Sequence, residues 1–127
     1  MARVKSLLSS KFTMKDLGQM TKILSIHVDI NRNAGTVKLS QEAYIDILLH
    51  WYNFIDVNPV DTPMTKDIKS LKPQTANDEN APDVPYAQVI GSLMYTAIAL
   101  RLDITFAVQQ LSQFNQTFTE AHWTATK

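Results

Sequence analysis

The hydrophobic period changes once along this chain, and that change limits what it can fold into. From Lys22 to Asn31 apolar side chains recur at every second residue, Leu24, Ile26, Val28 and Ile30 alternating with Ser25, His27, Asp29 and Asn31. Period two describes a strand with one buried face. Thr36 to Leu39 resumes the alternation through Val37 and Leu39. Between the runs, Asn31-Arg32-Asn33-Ala34-Gly35 supplies turn residues, with Gly35 free to take positive φ, so the segment reads as an antiparallel β-hairpin. From Gln41 the repeat is helical. Tyr44, Ile45, Leu48, Leu49 and Tyr52 form one stripe over Gln41 to about Asn53, with Ser40 as N-cap and Glu42 in the first turn. Trp51 sits at the edge of that stripe and is expected to be partly exposed.

Two further stripes follow. Val89, Ile90, Leu93, Met94, Ala97 and Ile98 make a broad apolar face, opened by Pro85 with Asp83 near the cap. Ile104, Ala107, Val108, Leu111 and Phe114 make the next, with Asp103 as its cap. The short link between them suits an antiparallel helix pair. Arg3 to Lys11 reads as the end of a helix with Val4, Leu7 and Leu8 on one side, and Phe12 and Met14 are expected to pack inward before Gly18. Glu120 begins another helix. The fold class is α+β: a short helix, one antiparallel hairpin and a cluster of three or four helices.

Periodicity stops between Ile55 and Val84. Pro59, Pro63, Pro73 and Pro82 lie there, Pro85 closes the stretch, and Lys72 to Asp83 has almost no apolar side chain, which reads as an exposed, mobile loop. A structureless stretch of roughly 30 residues is unusual inside a compact domain. Residues 55–84 are therefore expected to separate two subregions, 1–54 and 85–127.

At 127 residues, 45% of them hydrophobic, the chain is one domain or a piece of a larger one, with enough apolar residues for a core. Twelve basic residues balance twelve acidic ones. Because phosphate contacts supply most nucleic-acid affinity, this balance argues against strong autonomous binding, while allowing a face that contributes to a larger cleft. The absence of cysteine excludes disulfides, thiolate zinc sites and a cysteine nucleophile, and fits an intracellular compartment, cytoplasm or nucleus. Neither a signal peptide nor an apolar run of the roughly 20 residues needed to span a bilayer is present.

Little in the residues suggests catalysis. Metal-dependent phosphoryl transfer needs converging carboxylates, and Asp16, Asp29, Asp46 and Asp103 are scattered singly. His27, His50 and His122 have no metal-ligand spacing, no serine lies in a glycine-flanked elbow, and Gly18, Gly35 and Gly91 are too dispersed for a phosphate loop. The best candidate surface is the helix carrying Gly91. Ala87, Gly91 and Tyr95 share a stripe, with Gln88 and Ser92 beside it. A mid-helix glycine costs about 1 kcal/mol relative to alanine, tolerable where something approaches the backbone closely. Either a neighbouring helix or the wide minor groove of an A-like duplex would do so.

Several short motifs occur in order. They are Phe12-Thr13-Met14-Lys15-Asp16-Leu17-Gly18, then Leu39-Ser40-Gln41 with Tyr44-Ile45 and Leu48-Leu49, and Thr62-Pro63-Met64. Ile90-Gly91-Ser92-Leu93-Met94-Tyr95, Asp103-Ile104 with Phe106-Ala107-Val108, Leu111-Ser112-Gln113-Phe114 and His122-Trp123 complete the series. Together they resemble the C-terminal part of the reverse transcriptase of copia-type LTR retrotransposons, over essentially the whole chain. The resemblance implies that residues 1–54 are the end of the palm with the primer-grip hairpin and the first thumb helix. Residues 85–127 would be thumb helices and the start of the connection to RNase H. It also implies that Leu24 and Ser25 lie nearest the primer backbone and that Gln88, Gly91, Ser92 and Tyr95 face the template–primer duplex. The implied partners are an RNA–DNA duplex and the remaining palm, fingers and RNase H regions of the Pol polyprotein, with no membrane.

The family's catalytic Tyr-x-Asp-Asp is absent from this sequence and would lie upstream of Met1. Mg²⁺ is implied for the complete polymerase and no cofactor for this chain, which is expected to be inactive alone. Trp123 belongs to a segment expected to fray without the RNase H region. Two motifs depart from the family: Leu24-Ser25-Ile26 replaces Leu-Gly-Ile, and Leu100-Arg101-Leu102-Asp103-Ile104 replaces Thr-Arg-Pro-Asp-Ile, leaving Leu100 and Leu102 in an exposed link. An exapted, non-enzymatic interaction module and a non-functional transposon relic are the alternative readings.

Overall fold

The structure, a computed structural model, describes residues 2–64, 71 and 82–127. The chain divides into two compact units, Met1–Leu39 and Ser40–Lys127. The loop expected over 72–83 falls almost wholly outside the described residues.

The first unit holds α1 (Ala2–Lys11), β1 (Lys22–Ile23), β2 (Ile26–Asn31) and β3 (Thr36–Ser40), the strands forming one sheet in the order β1-β2-β3. The run expected to be one strand from Lys22 to Asn31 is two. Lys22 faces His27 and Ile23 faces Ile26 across an antiparallel pair, with Leu24 and Ser25 turning between them at φ +47° and +62°. Two consecutive left-handed residues make the tight hairpin turn whose usual occupants are Asn-Gly or Asp-Gly. Leu and Ser carry no such signal, so the alternation runs uninterrupted through the turn. Leu24, expected inside, is 75% exposed at its apex. In β2 the alternation holds: Val28 is buried, Ile26 and Ile30 half-buried, His27 and Asp29 exposed. The β2–β3 turn is as the sequence indicated, the Asn31 side-chain oxygen accepting the Ala34 amide at 3.0 Å and Gly35 at φ +64°.

Phe12 and Met14, expected inside, are exposed, as are Val4, Leu7 and Leu8 of α1. A unit of this size cannot wrap its apolar side chains; domains below about 40 residues rarely stand without extra support. Lys5 Nζ binds both Asp16 carboxylate oxygens, at 2.8 and 3.0 Å, and the Gly18 amide donates to the same carboxylate. Lys5 first, and then the Gly18 amide, hold the Asp16 carboxyl below its ordinary range.

The second unit holds α2 (Glu42–Trp51), α3 (Tyr86–Ala99), a 3₁₀ turn at Leu102–Ile104, α4 (Thr105–Ser112) and α5 (Glu120–Ala125). Tyr86, Val89 and Ile90 of α3, Val108 and Leu111 of α4 and Trp123 of α5 form its core. The Tyr86 hydroxyl donates to the Leu111 carbonyl at 2.9 Å, which sets the start of α3 against the end of α4, the antiparallel pair expected. Its ring stacks on Phe118 at 4.5 Å, and burial pushes the phenol up to about 12. Trp123, expected to fray, is 8% exposed and packs on Phe54 at 5.3 Å. Its helix is tied down one residue earlier: the Thr119 amide donates to His122 Nδ1 at 3.0 Å, and the ring lies 4.2 Å from that of Phe114.

The caps only partly follow expectation. Ser40 Oγ accepts the Glu42 amide at 3.2 Å. Asp103 is not the cap of α4, whose N-cap position is Ile104: it lies inside the 3₁₀ turn, and its carboxylate takes the Arg101 guanidinium in a fork at 2.9 and 2.8 Å. That fork is the main reason its carboxyl sits below the ordinary range. The N-cap position of α3 is Pro85, which makes no side-chain cap bond. Ile98 is 69% exposed because at ~100° per residue it lies about 120° around α3 from Tyr86. Leu102 is exposed as expected, whereas Leu100 is half-buried.

Burial holds the His122 imidazole below its ordinary value, so the unfolded chain takes up a proton before the folded one does. The stabilisation is complete above about pH 6.5 and is lost as pH falls through the lower folded value. The urea midpoint, followed by tryptophan fluorescence, should therefore drop between pH 7 and 5, and a midpoint that rises there contradicts the assignment. Separately, Ser25→Gly removes a left-handed penalty of about 1–2 kcal/mol against a glycine entropy cost of about 1. The Val28 amide, bonded to the Thr21 carbonyl at 2.8 Å, should then gain protection from hydrogen exchange by up to about fivefold. Unchanged exchange would mean the turn is not strained.

Candidate nucleic-acid interface

Helix α3 has two opposite faces. Tyr86, Val89, Ile90 and Ala97 are buried, and at ~100° per residue Gln88, Gly91 and Tyr95 lie on the far side from Tyr86. Gln88 and Gly91 are exposed; Ser92 and Tyr95 are half-buried. A Cβ placed on Gly91 would meet nothing within 4 Å among the described residues. The simpler explanation of this glycine, a neighbouring helix pressed against it, has no counterpart among those residues.

Helix α2 steadies two members of the stripe. The Tyr44 ring stands edge-on to Tyr95, with centroids 5.2 Å apart and planes at 81°. The Tyr52 hydroxyl lies 3.2 Å from Ser92 Oγ, which donates to the Gln88 carbonyl at 2.9 Å. Thr96 Oγ1 in turn donates to the Ser92 carbonyl at 3.1 Å. The sequence marks Tyr44 and Tyr52 only as core. Their spacing tells that they face inward along α2, but no local signal says which distant residues they meet. Leu24 and Ser25, the other two sequence candidates, lie in the first unit at the β1–β2 apex, and both are exposed.

The arrangement can present a small-residue face, an amide and an aromatic edge, which suits contact by shape and hydrogen bonding. Charge is missing from it: α3 has no ionisable residue besides tyrosine. Alongside Ser92, an apolar cavity of about 160 Å³ is lined by Leu48, Tyr52, Val89, Leu93 and Ile104, with Arg101 and Lys127 among its polar members. Among the described residues no three His, Asp or Glu side chains lie together as metal ligands. No helix among the described residues is long and apolar enough to cross a membrane.

Residues 1–66 match the family model described as reverse transcriptase (RNA-dependent DNA polymerase). The chain is 38% identical over 130 residues to the retrovirus-related Pol polyprotein from transposon TNT 1-94 of Nicotiana tabacum, an alignment covering 99% of this chain and 10% of that protein. It is 38% identical over 121 residues to the Pol polyprotein from transposon RE1 of Arabidopsis thaliana, covering 94% of this chain and 8% of the relative. To that from transposon RE2 of the same plant it is 34% identical, again over 94% of this chain and 8% of the relative. The chain thus spans a tenth or less of the length of these curated relatives. No solved structure matches it. More than half of the chain lies within the family model, and nearly all of it aligns with transposon Pol polyproteins: it belongs to the reverse transcriptases, in their copia-type retrotransposon branch.

Proposed function

We propose that this chain supplies a duplex-positioning surface of a copia-type reverse transcriptase. In this reading α3 is the thumb helix that lies in the minor groove of the template–primer, with Gln88, Gly91, Ser92 and Tyr95 facing it. The β1–β2 apex, Leu24 and Ser25, is the primer grip. The open Gly91 carries the proposal, because a mid-helix glycine with no neighbour among the described residues makes sense where a partner approaches from outside. An RNA–DNA hybrid has the wide, shallow groove such a face fits. Nucleotide incorporation belongs to a Tyr-x-Asp-Asp centre this sequence does not contain, and the chain on its own incorporates none. Its place is intracellular, in cytoplasm or nucleus, beside the palm, fingers and RNase H regions of the same polyprotein.

Two variants at one position separate stability from binding. Gly91→Ala should stabilise the folded chain by about 0.5–1 kcal/mol in urea titration, since the methyl group enters open space and helix propensity improves. Gly91→Leu should fold as well as the parent yet bind a fluorescent RNA–DNA hybrid about tenfold more weakly, a loss of about 1.4 kcal/mol. If Gly91→Leu binds like the parent, α3 is not the groove helix.

A further inference from the structure

The cavity beside Ser92, about 160 Å³ in volume, draws its walls from α2, α3, the 3₁₀ turn and the residues after α5, all within the second unit. Leu48 and Val89 are buried in it, and Tyr52, Leu93 and Ile104 half-buried. The exposed members of the lining are Leu49, Arg101 and Lys127, which mark the side open to solvent. A cavity of about 150 Å³ lined by Leu, Ile and Phe stays dry and takes up benzene. Water is a poor filling for such a space. Each molecule occupies about 30 Å³ and needs two to four polar partners, which walls of this kind do not supply throughout.

We propose that this cavity is a binding site for a small, uncharged, single-ring aromatic molecule carrying one hydrogen-bond donor, a phenol in the simplest case. The donor requirement follows from the hydroxyls of Tyr52, Ser92, Thr96 and Thr126, which belong to the lining. Ser92 Oγ donates its one hydrogen to the Gln88 carbonyl at 2.9 Å. The Tyr52 hydroxyl, 3.2 Å from Ser92 Oγ, is therefore the donor of that pair. Thr96 Oγ1 donates to the Ser92 carbonyl at 3.1 Å, and Thr126 Oγ1 to the Trp123 carbonyl at 2.7 Å. All four hydrogens are spent on the protein. A hydroxyl oxygen keeps lone pairs after it has donated, so these groups offer a ligand acceptors only. An O–H or N–H meets them; a carbonyl or carboxylate oxygen would face lone pairs.

The ring requirement follows from the remaining walls. They include the Tyr52 and Phe54 rings, with centroids 6.1 Å apart and planes at 41°, against which a third ring can pack offset or edge-on. The cations at the open side do not turn the site toward anions. Arg101 is already balanced by Asp103 at 2.8 Å, and Lys127 Nζ lies over the Trp123 ring, 5.6 Å from its centroid. The site stands whether or not α3 meets a duplex.

The test titrates the full 127-residue chain, methyl-labelled at Leu, Val and Ile, with phenol, toluene and benzoate in turn, followed by heteronuclear NMR. Phenol should shift the methyl signals of Leu48, Val89, Leu93 and Ile104 with a Kd of about 1 mM or below. Toluene has nearly the same shape and no donor, and it leaves water more readily than phenol. A cavity without acceptors therefore prefers toluene, because burying an unpaired hydroxyl is costly. Phenol binding at least as tightly as toluene supports the proposal, and toluene binding more tightly overturns it. Benzoate binding more tightly than phenol also overturns it, since the cations at the open side would then select the ligand. So does the absence of lining-methyl shifts with phenol. Leu93→Phe, which fills the cavity, should abolish the phenol shifts while urea unfolding stays cooperative. Leu49→Trp closes the open side without altering a buried residue, and covers the case in which Leu93→Phe does not fold. Phenol binding unchanged by a folded variant of either kind places the ligand elsewhere and overturns the proposal.

Discussion

A phenol hydroxyl taken out of water has to find an acceptor, and Tyr86 finds one in the Leu111 carbonyl at 2.9 Å. An intact bond of this kind contributes about 0.5–1.5 kcal/mol, while leaving the group buried and unpaired costs about 1–3. The ring adds the burial of a large aromatic side chain, stacked on Phe118. These terms select one rotation of α3. With Tyr86, Val89 and Ile90 turned toward α4 and α5, helix geometry alone turns Gln88, Gly91 and Tyr95 the other way. The outward stripe is therefore a consequence of the inward one. Helix α2 then limits the freedom of the stripe through Tyr44 on Tyr95 and Tyr52 on Ser92.

The two units solve different physical problems. The helical unit closes a core of aromatic and branched side chains and docks even its last helix, where His122 is fully buried and Trp123 nearly so. The sheet unit closes almost nothing, and Phe12, Leu17, Leu24 and Val37 all face outward. Such a surface is costly in water in isolation. In a relative about ten times longer, other parts of the polyprotein are available to cover it. The same unit carries seven of the twelve basic residues, so its surface is apolar and cationic together.

Much of the helical unit is legible in the residues alone. The stripes over Tyr44–Tyr52, Val89–Ala97 and Ile104–Phe114 fall on α2, α3 and α4, and the helix expected from Glu120 is α5. Polar Asn31 to Gly35 announces the β2–β3 turn because an Asn side chain and a glycine each do something specific there. Leu and Ser are not turn-forming types, and a two-residue turn preserves the parity of the alternation, so nothing in the pattern marks the β1–β2 hairpin. Asp103 departs from expectation for a related reason. Its carboxylate is engaged instead by the Arg101 guanidinium, two residues before it, in a charged fork.

By itself the sequence determined the periodicities, the family motifs and the residue types on the α3 stripe, all of which depend on near neighbours in the chain. It also contained the uneven spread of basic residues, yet did not say where to divide the count. Only the tertiary structure placed that division at residue 39, left the space beside Gly91 open among the described residues, and set Tyr44 and Tyr52 against the stripe. Each of these is a relation between segments far apart in sequence, settled by which side chains could be buried together, and no local pattern encodes it.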